Sequence, residues 1–140
     1  MAIIHKASIS PTKTELLERI LGGAVTVLGS YRFDDPAGEV GVEAFIVRSG
    51  ARNRQIVLTY RGAPLQGAEA TLVSTMEHSV LGRRWVYDGT SDVVAVACFR
   101  RALLGDQEQA AEEIWEHGQR IGTREPTVRL SVVSGRPAQA

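Results

Sequence analysis

Apolar residues alternate with polar ones in several stretches of the chain, and one stretch near the start follows a helical period instead. Residues 2–10 alternate and predict a strand. Ser10 and Pro11 then resemble a helix start, with a capping serine followed by proline at the first helical position. Gly22 and Gly23 mark the end of that helix. The apolar stripe between these signals consists of Leu16, Leu17, Ile20 and Leu21.

Four further alternating runs predict the body of a sheet. The links between them are short, and parallel neighbours would need crossovers of about a dozen residues or more, so the runs are predicted to pair antiparallel. Residues 34–38 read as a turn, 49–53 as a hairpin loop and 62–68 as a longer loop. The four runs are residues 24–33, 39–48, 54–61 and 69–78.

The C-terminal third is harder to assign. The valine-rich start of residues 92–104 favours a buried strand, whereas their length and the flanking Ser91-Asp92 and Gly105 favour a helix, which we choose. Residues 106–117 are rich in Gln, Glu and Ala and read as a helix, with an edge strand as the alternative. Residues 127–133 predict a final strand, and residues 134–140 a flexible tail. The whole pattern predicts one α+β domain over residues 1–133, an antiparallel sheet with helices packed on one face.

Composition and charge narrow the classes of function. Sixteen basic residues balance sixteen acidic ones, so no strong field favours nucleic acid or an anionic membrane, and we expect neither as a partner. The first residues lack a signal-peptide pattern, and no segment approaches the ~20 apolar residues of a membrane span. We therefore expect a cytoplasmic protein. Cys98 is the single cysteine and lies in an apolar run, which predicts a buried structural thiol.

The sequence contains no recognisable catalytic motif, and we predict no catalytic residue, no metal and no cofactor. The glycines form neither a GxxxxGK[ST] loop nor a GxGxxG loop after a strand. The three histidines, His5, His78 and His117, fall on different elements, so a metal site would need them to converge. His117-Gly118 is weakly similar to the start of a kinase catalytic loop, but Gln119 occupies the position where the catalytic Asp is needed. We interpret this similarity as coincidence.

Arginine and aromatic residues concentrate in one segment, residues 83–88. Guanidinium groups beside an indole and a phenol suit stacking on a sugar, or forked hydrogen bonds to a phosphate or carboxylate. Alternatively, Trp85 and Tyr87 face the core while Arg84 pairs with Asp88 or Glu77. A second, weaker instance of the same mix lies at residues 60–62. The candidate ligand- or partner-binding residues are Tyr60, Arg61, Arg83, Arg84, Trp85, Tyr87 and Asp88.

The same segments carry a resemblance to a known family. Residues 5–13, 33–43, 58–65 and 75–89 resemble, in order, an actinobacterial family of small proteins described as maltokinase N-terminal cap-like. The block around Arg83 is the most specific part. Maltokinase phosphorylates maltose with ATP in an α-glucan pathway, and its catalytic residues lie outside the cap. The resemblance implies the fold of a stand-alone cap, a curved antiparallel sheet with helices, without kinase activity. Many members carry an Arg-Pro-Trp-Tyr-like segment where this chain has residues 22–25.

Two classes of function follow from these observations. The first is a non-catalytic cap-like interaction or regulatory module that docks on a kinase-like or glucan-metabolising protein, or on a second copy of itself. This class predicts an exposed apolar or aromatic surface. The second is a small-ligand binding protein, for sugar or phosphate, or a simple enzyme on the concave face of the sheet. A pocket lined by Arg61, Arg84 and Tyr87 would support this second class. The unprotected edge strands also predict a two-fold homodimer.

Overall fold

A computed structural model describes residues 1–133, so the predicted tail at 134–140 lies outside the described residues. Strands dominate, and two α-helices interrupt them. In chain order the elements are β1 (Ala2–His5), β2 (Ile9–Ser10), α1 (Lys13–Leu21), β3 (Thr26–Phe33), β4 (Gly41–Ser49), β5 (Arg52–Arg61), β6 (Leu72–His78), β7 (Gly82–Asp88), α2 (Val93–Leu103), β8 (Glu112–Glu116) and β9 (Gln119–Arg124).

The strands form two sheets. The larger one is antiparallel throughout and strongly curled, with the order β2-β6-β7-β5-β4-β3. The smaller one has the order β1-β8-β9, in which β1 and β8 run parallel and β8 and β9 antiparallel. The predicted α+β class with a curved antiparallel sheet is confirmed.

Helix α1 begins two residues later than its sequence signal indicates. Thr12, not Ser10, is the N-cap: its side chain accepts a hydrogen bond from the Glu15 amide at 3.2 Å, and the Glu15 carboxylate accepts one from the Thr12 amide at 3.2 Å. This reciprocal capping box satisfies two amides that have no partner inside the helix. Gly22, with a φ of 74°, ends the helix as predicted.

The hairpin of β4 and β5 is the centre of the fold because both of its faces are buried. Phe45, Val47 and Leu58 pack on one face against Leu16 and Leu17 of α1. We call this the α1 face. The other face, the α2 face, holds the cluster of Tyr31, Phe33, Val40, Val42, Ala44, Val57, Ala95 and Cys98, with Phe99 packed against it. The two helices are therefore divided between the two faces of the sheet.

Of the assignments for residues 92–117, one holds and one is wrong. Residues 92–104 form helix α2, as chosen, and Cys98 is buried as expected. Residues 106–117 do not form a helix; they contain β8, the weighed alternative. Strand β9 was missed. The turn between them is His117-Gly118, whose φ angles of 51° and 74° match the left-handed pair that a two-residue hairpin requires.

The N- and C-terminal strand predictions also need correction. Residues 2–10 divide into β1 and β2, which belong to different sheets. Residues 127–133 form no strand. Instead, the Thr127 hydroxyl accepts a hydrogen bond from the Ser30 amide at 2.8 Å and donates one to the Ser30 carbonyl at 3.2 Å. The segment thus covers part of the β3 edge through a side chain. Neither helix described within residues 1–133 is long and apolar enough to cross a membrane.

Gly89 lies where the chain passes closely over β5. A Cβ atom on Gly89 would come within 2.3 Å of Val57 Cγ1 and 2.9 Å of Val57 Cβ, whereas one on Gly23 would meet nothing within 4 Å. Gly89→Ala is therefore expected to lower the free energy of unfolding by about 1–3 kcal/mol through overpacking. Gly23→Ala, the control, should change it by no more than about 0.5 kcal/mol. Urea unfolding of both variants tests this, and equal losses would contradict it.

Candidate functional site

The seven candidate residues divide between the two faces of the curled sheet. Along β7, Val86 belongs to the α1-face cluster, and Arg84, two residues away, shares its facing. Tyr60 pairs with Val86 across the ladder and is also in that cluster. Arg83, Trp85 and Tyr87 point to the opposite face, as does Arg61, the partner of Trp85 in the ladder. Asp88 pairs with Leu58 of the same cluster, so alternation separates Tyr60, Arg84 and Asp88 from Arg61, Arg83, Trp85 and Tyr87.

On the α2 face, Arg61 is engaged in a buried ion pair. Its Nε and Nη2 donate to the two oxygens of Asp92 at 2.9 and 2.8 Å. The Asp92 side chain is fully buried and also accepts from the Thr59 hydroxyl at 2.7 Å and the Val94 amide at 3.0 Å, capping α2. Burial by itself raises the pKa of Asp92, but the hydrogen bonds from Arg61 and Thr59 outweigh it and lower the pKa. This arrangement joins α2 to the sheet.

Most of the remaining candidates, on either side of the sheet, are also held by the protein itself. Tyr87 is buried, and its hydroxyl accepts from the Leu65 amide at 2.7 Å. Asp88 accepts from the amide and the hydroxyl of Thr90, at 3.0 and 2.8 Å. Exposed Arg83 pairs with Glu77 at 2.6 Å. Trp85 is partly buried. The pocket of Arg61, Arg84 and Tyr87 does not form, because these residues do not share a face.

A cavity of about 320 Å³ opens on the α1 face, beside the start of α1 and β1. We call it the basic cavity. Tyr60 and Arg84 line it, and they are the two candidate residues that the structure brings together there. Four further polar residues line the basic cavity: Lys13, Arg32, His5 and His78. These four were missed at the sequence level.

Glu43 lies beneath the basic cavity and organises it. Its Oε1 accepts from the Tyr60 hydroxyl at 2.7 Å, contacts Lys13 Nζ at 2.8 Å and accepts from Arg32 Nη2 at 3.2 Å. Burial of this carboxylate raises its pKa, but Arg32 and Lys13 outweigh burial and the pKa is lowered below its ordinary value. Glu43 is therefore ionised at neutral pH. A buried glutamate inside an apolar strand was the sequence signal that could have revealed the site.

The cations around Glu43 outnumber it. Burial is the largest influence on Lys13 and lowers its pKa; pairing with Glu43 raises it, and Arg32 and Arg124 lower it again. The net shift of the Lys13 pKa is downward although Lys13 contacts a carboxylate, because burial, helped by the charge of Arg32, outweighs the pairing with Glu43. Among the described residues, Arg32 Nε is the one buried side-chain nitrogen or oxygen without a hydrogen-bond partner. Leaving such a donor unpaired costs about 1–3 kcal/mol.

A second surface feature lies along α2. Val96, Phe99 and Leu103 follow one another at helical spacing and, with Leu104 and Val57, line an apolar groove of about 570 Å³. Leu103 and Leu104 are 79% and 68% exposed, and Val93 at the start of the helix is 74% exposed. We call this the α2 groove. Residues 1–133 contain no group of three His, Cys, Asp or Glu side chains placed to hold a metal ion.

Comparison with known proteins gives one match. The family model of the maltokinase N-terminal cap domain matches residues 18–92, which is 75 of the 140 residues. The matched part runs from within α1 to the end of β7 and includes Arg32, Glu43, Tyr60 and Arg84. It stops at Asp92, just before α2. A search of curated proteins and a search of solved structures each returned no match.

Arg61 forms a buried ion pair and Arg83 an exposed one, so their replacement should lower the free energy of unfolding by different amounts. Arg61→Met leaves the Asp92 carboxylate buried without its cation and should lower the free energy of unfolding by about 3–5 kcal/mol. Arg83→Met removes an exposed pair and should cost no more than about 1 kcal/mol. Chemical denaturation of both variants measures the difference. Similar losses would show that the Arg61–Asp92 pair does not hold α2 to the sheet.

The lowered pKa of Glu43 predicts a pH-dependent stability. A carboxylate whose folded-state pKa is below its unfolded value stabilises the fold above the unfolded pKa, and this contribution disappears as pH falls through the folded pKa. At neutral pH, Glu43→Gln should lose about 1.5–3 kcal/mol because Lys13 and Arg32 lose their charged acceptor. The gap between wild type and variant should narrow as pH falls below about 4.5. Urea unfolding across pH measures it; a constant gap would contradict the assignment.

Proposed function

Because the chain belongs to the maltokinase N-terminal cap domain family, we propose that it is a non-catalytic cap-like interaction or regulatory module that docks on a kinase-like or glucan-metabolising protein. The proposed setting is α-glucan and maltose phosphate metabolism, in the cytoplasm. The observation that carries the proposal is the α2 groove, an exposed apolar surface of the kind that an interaction module needs.

The apolar side chains of the α2 groove are more stable when buried against a protein partner than when exposed to solvent. Leu103 and Leu104 extend from the end of α2, and Val96 lies on the same side of the helix, 41% exposed. A groove beside a helix, with an apolar floor of Val57 and Phe99, accepts apolar side chains from a partner. Arg100 and Gln55 border the groove and supply a polar rim. Burial of these side chains provides the driving force for docking.

The motifs of the chain support the proposed non-catalytic role. Its 140 residues carry neither a nucleotide-binding glycine loop nor the carboxylates that position a phosphoryl acceptor and magnesium. The partner would supply that chemistry, and this chain would regulate or position it. The alternative class, a small-ligand binding protein for sugar or phosphate, is favoured by the basic cavity. The cavity lies on the opposite face from the α2 groove, so the two functions are compatible.

A homodimer is the competing occupant of the apolar surface. Among the described residues, the edge strands of the large sheet are β2, of two residues, and β3, which residues 127–128 partly cover. Pairing of two copies through the edges of the large sheet, one form of the arrangement that the sequence suggested, therefore has little free edge to use. The α2 groove is the better surface for self-association.

Docking is tested by titrating the purified chain into the maltokinase of its own organism and measuring the dissociation constant. Leu104→Glu should weaken binding about tenfold or more, because the new charge would lose its water at the interface. Val80→Glu is the matched control: Val80 is an exposed apolar residue, 56% accessible, in the β6–β7 turn away from α2. The control should bind like wild type.

The results of this titration and of light scattering distinguish a kinase from a second copy of the chain as the partner at the α2 groove. If the wild-type chain fails to bind the kinase, or if Val80→Glu weakens binding as much as Leu104→Glu, docking through the α2 groove is wrong. Light scattering on the free chain tests the dimer. A dimer that Leu104→Glu converts to a monomer would assign the groove to a second copy instead of the kinase.

A further inference from the structure

The basic cavity holds cationic groups whose hydrogen-bonding capacity the protein leaves unused. Arg32 donates to Glu43 through Nη2, while its Nε is buried without an acceptor. Arg84 lines the same cavity and has no carboxylate within 4 Å among the described residues. Its neighbour Arg83, on the other face of the strand, is paired with Glu77. Two guanidinium groups therefore line this space, and that of Arg84 has donors available to a ligand.

A histidine contributes a further donor of fixed tautomer. His78 Nδ1 accepts hydrogen bonds from the Val80 and Leu81 amides, at 3.1 and 2.9 Å, so the ring proton is on Nε2. Burial, followed by the neighbouring charges of His5, Arg84 and Lys13, lowers the pKa of His78. His78 is therefore a neutral N–H donor at neutral pH. Its ring lies edge-on to that of His5, with 5.7 Å between centroids.

The carboxylates that border the cavity are already engaged or lie in solvent. Asp34 pairs with the α-ammonium group of Met1. Asp35 accepts from the amides of Ala37, Glu39 and Val40 and so holds the β3–β4 turn. The Glu39 side chain is exposed. Glu43 is the carboxylate in contact with Lys13 and Arg32, whereas Arg84 has no carboxylate partner among the described residues.

We propose that the basic cavity binds the phosphate group of a small metabolite, held by Lys13, Arg32 and Arg84 with His78 as a further donor. A phosphate group carries close to two negative charges at neutral pH, and its tetrahedral oxygens accept from donors that converge from several directions. A carboxylate carries only one charge and offers two oxygens, so it would engage fewer of these donors. The volume of about 320 Å³ is at the small end of ligand pockets and suits a sugar phosphate or free phosphate, not a polymer. This inference does not depend on docking at the α2 groove.

Isothermal titration calorimetry with two probes, inorganic phosphate and glucose 6-phosphate, tests the proposal on the wild-type chain. Arg84→Met removes one unpaired cation while keeping a long side chain, and it should weaken binding of both probes about tenfold or more. Arg83→Met is the matched control, one residue away on the opposite face, and should bind as wild type does. Tighter binding of glucose 6-phosphate than of inorganic phosphate would identify a phosphate monoester as the ligand class; equal binding would identify free phosphate.

A measurement on the wild-type chain covers the case in which Arg84→Met does not fold. Phenylglyoxal modifies accessible arginines, and mass spectrometry locates the modified positions. Inorganic phosphate should protect Arg84 from modification and leave Arg83 reactive. The proposal is overturned if neither probe binds the wild type, if Arg83→Met loses as much affinity as Arg84→Met, or if phosphate protects both arginines equally.

Discussion

Both faces of the β4–β5 hairpin are buried, and the rest of the structure follows from the need to cover them. Val47 and Leu58 are inaccessible on one face and Val42 nearly so on the other, so a single layer of helix cannot complete the core. Helix α1 covers one face and α2 the other. The second cover is fixed by a buried ion pair, since Asp92 caps α2 and is held by Arg61 and Thr59 of the sheet. Burying that carboxylate is tolerable because Arg61, Thr59 and the Val94 amide donate hydrogen bonds to it.

The α1 face of the hairpin is covered less completely than the α2 face. Helix α1 has nine residues and covers only part of its face, and the remaining space is the basic cavity. Glu43 is buried there with more cations than it can neutralise. Burial opposes both charged groups: it prevails at Lys13, whose pKa is lowered, whereas at Glu43 the charges of Arg32 and Lys13 outweigh it. An incomplete cover that leaves Arg84 without a carboxylate partner is how a binding site arises on this scaffold. The α2 face offers an apolar groove instead.

The sequence predicted the elements whose signals are local. Thr12-to-Gly22 carries both capping residues and an apolar stripe, and the β4–β5 hairpin has strong alternation around Gly50. Residues 106–117 were misassigned because their Gln, Glu and Ala content favours a helix, while their pairing with the distant β1 is not visible in composition. The alternation of a strand explains why Arg83 and Arg84, adjacent in β7, lie on opposite faces. Nothing local indicated that Arg61 meets Asp92, 31 residues away, or that Lys13 and Arg32 meet Glu43.

The central claim is that the two faces of one sheet carry two separate binding surfaces, a basic cavity under α1 and an apolar groove along α2. Hydrogen exchange measured by mass spectrometry tests it on the wild-type chain, alone, with inorganic phosphate, and with the maltokinase. Phosphate should slow exchange around Lys13 and Arg84 and leave residues 93–104 unchanged, and the kinase should slow exchange at 93–104. Protection of the same segment by both ligands, or of neither segment by its own ligand, would contradict the account.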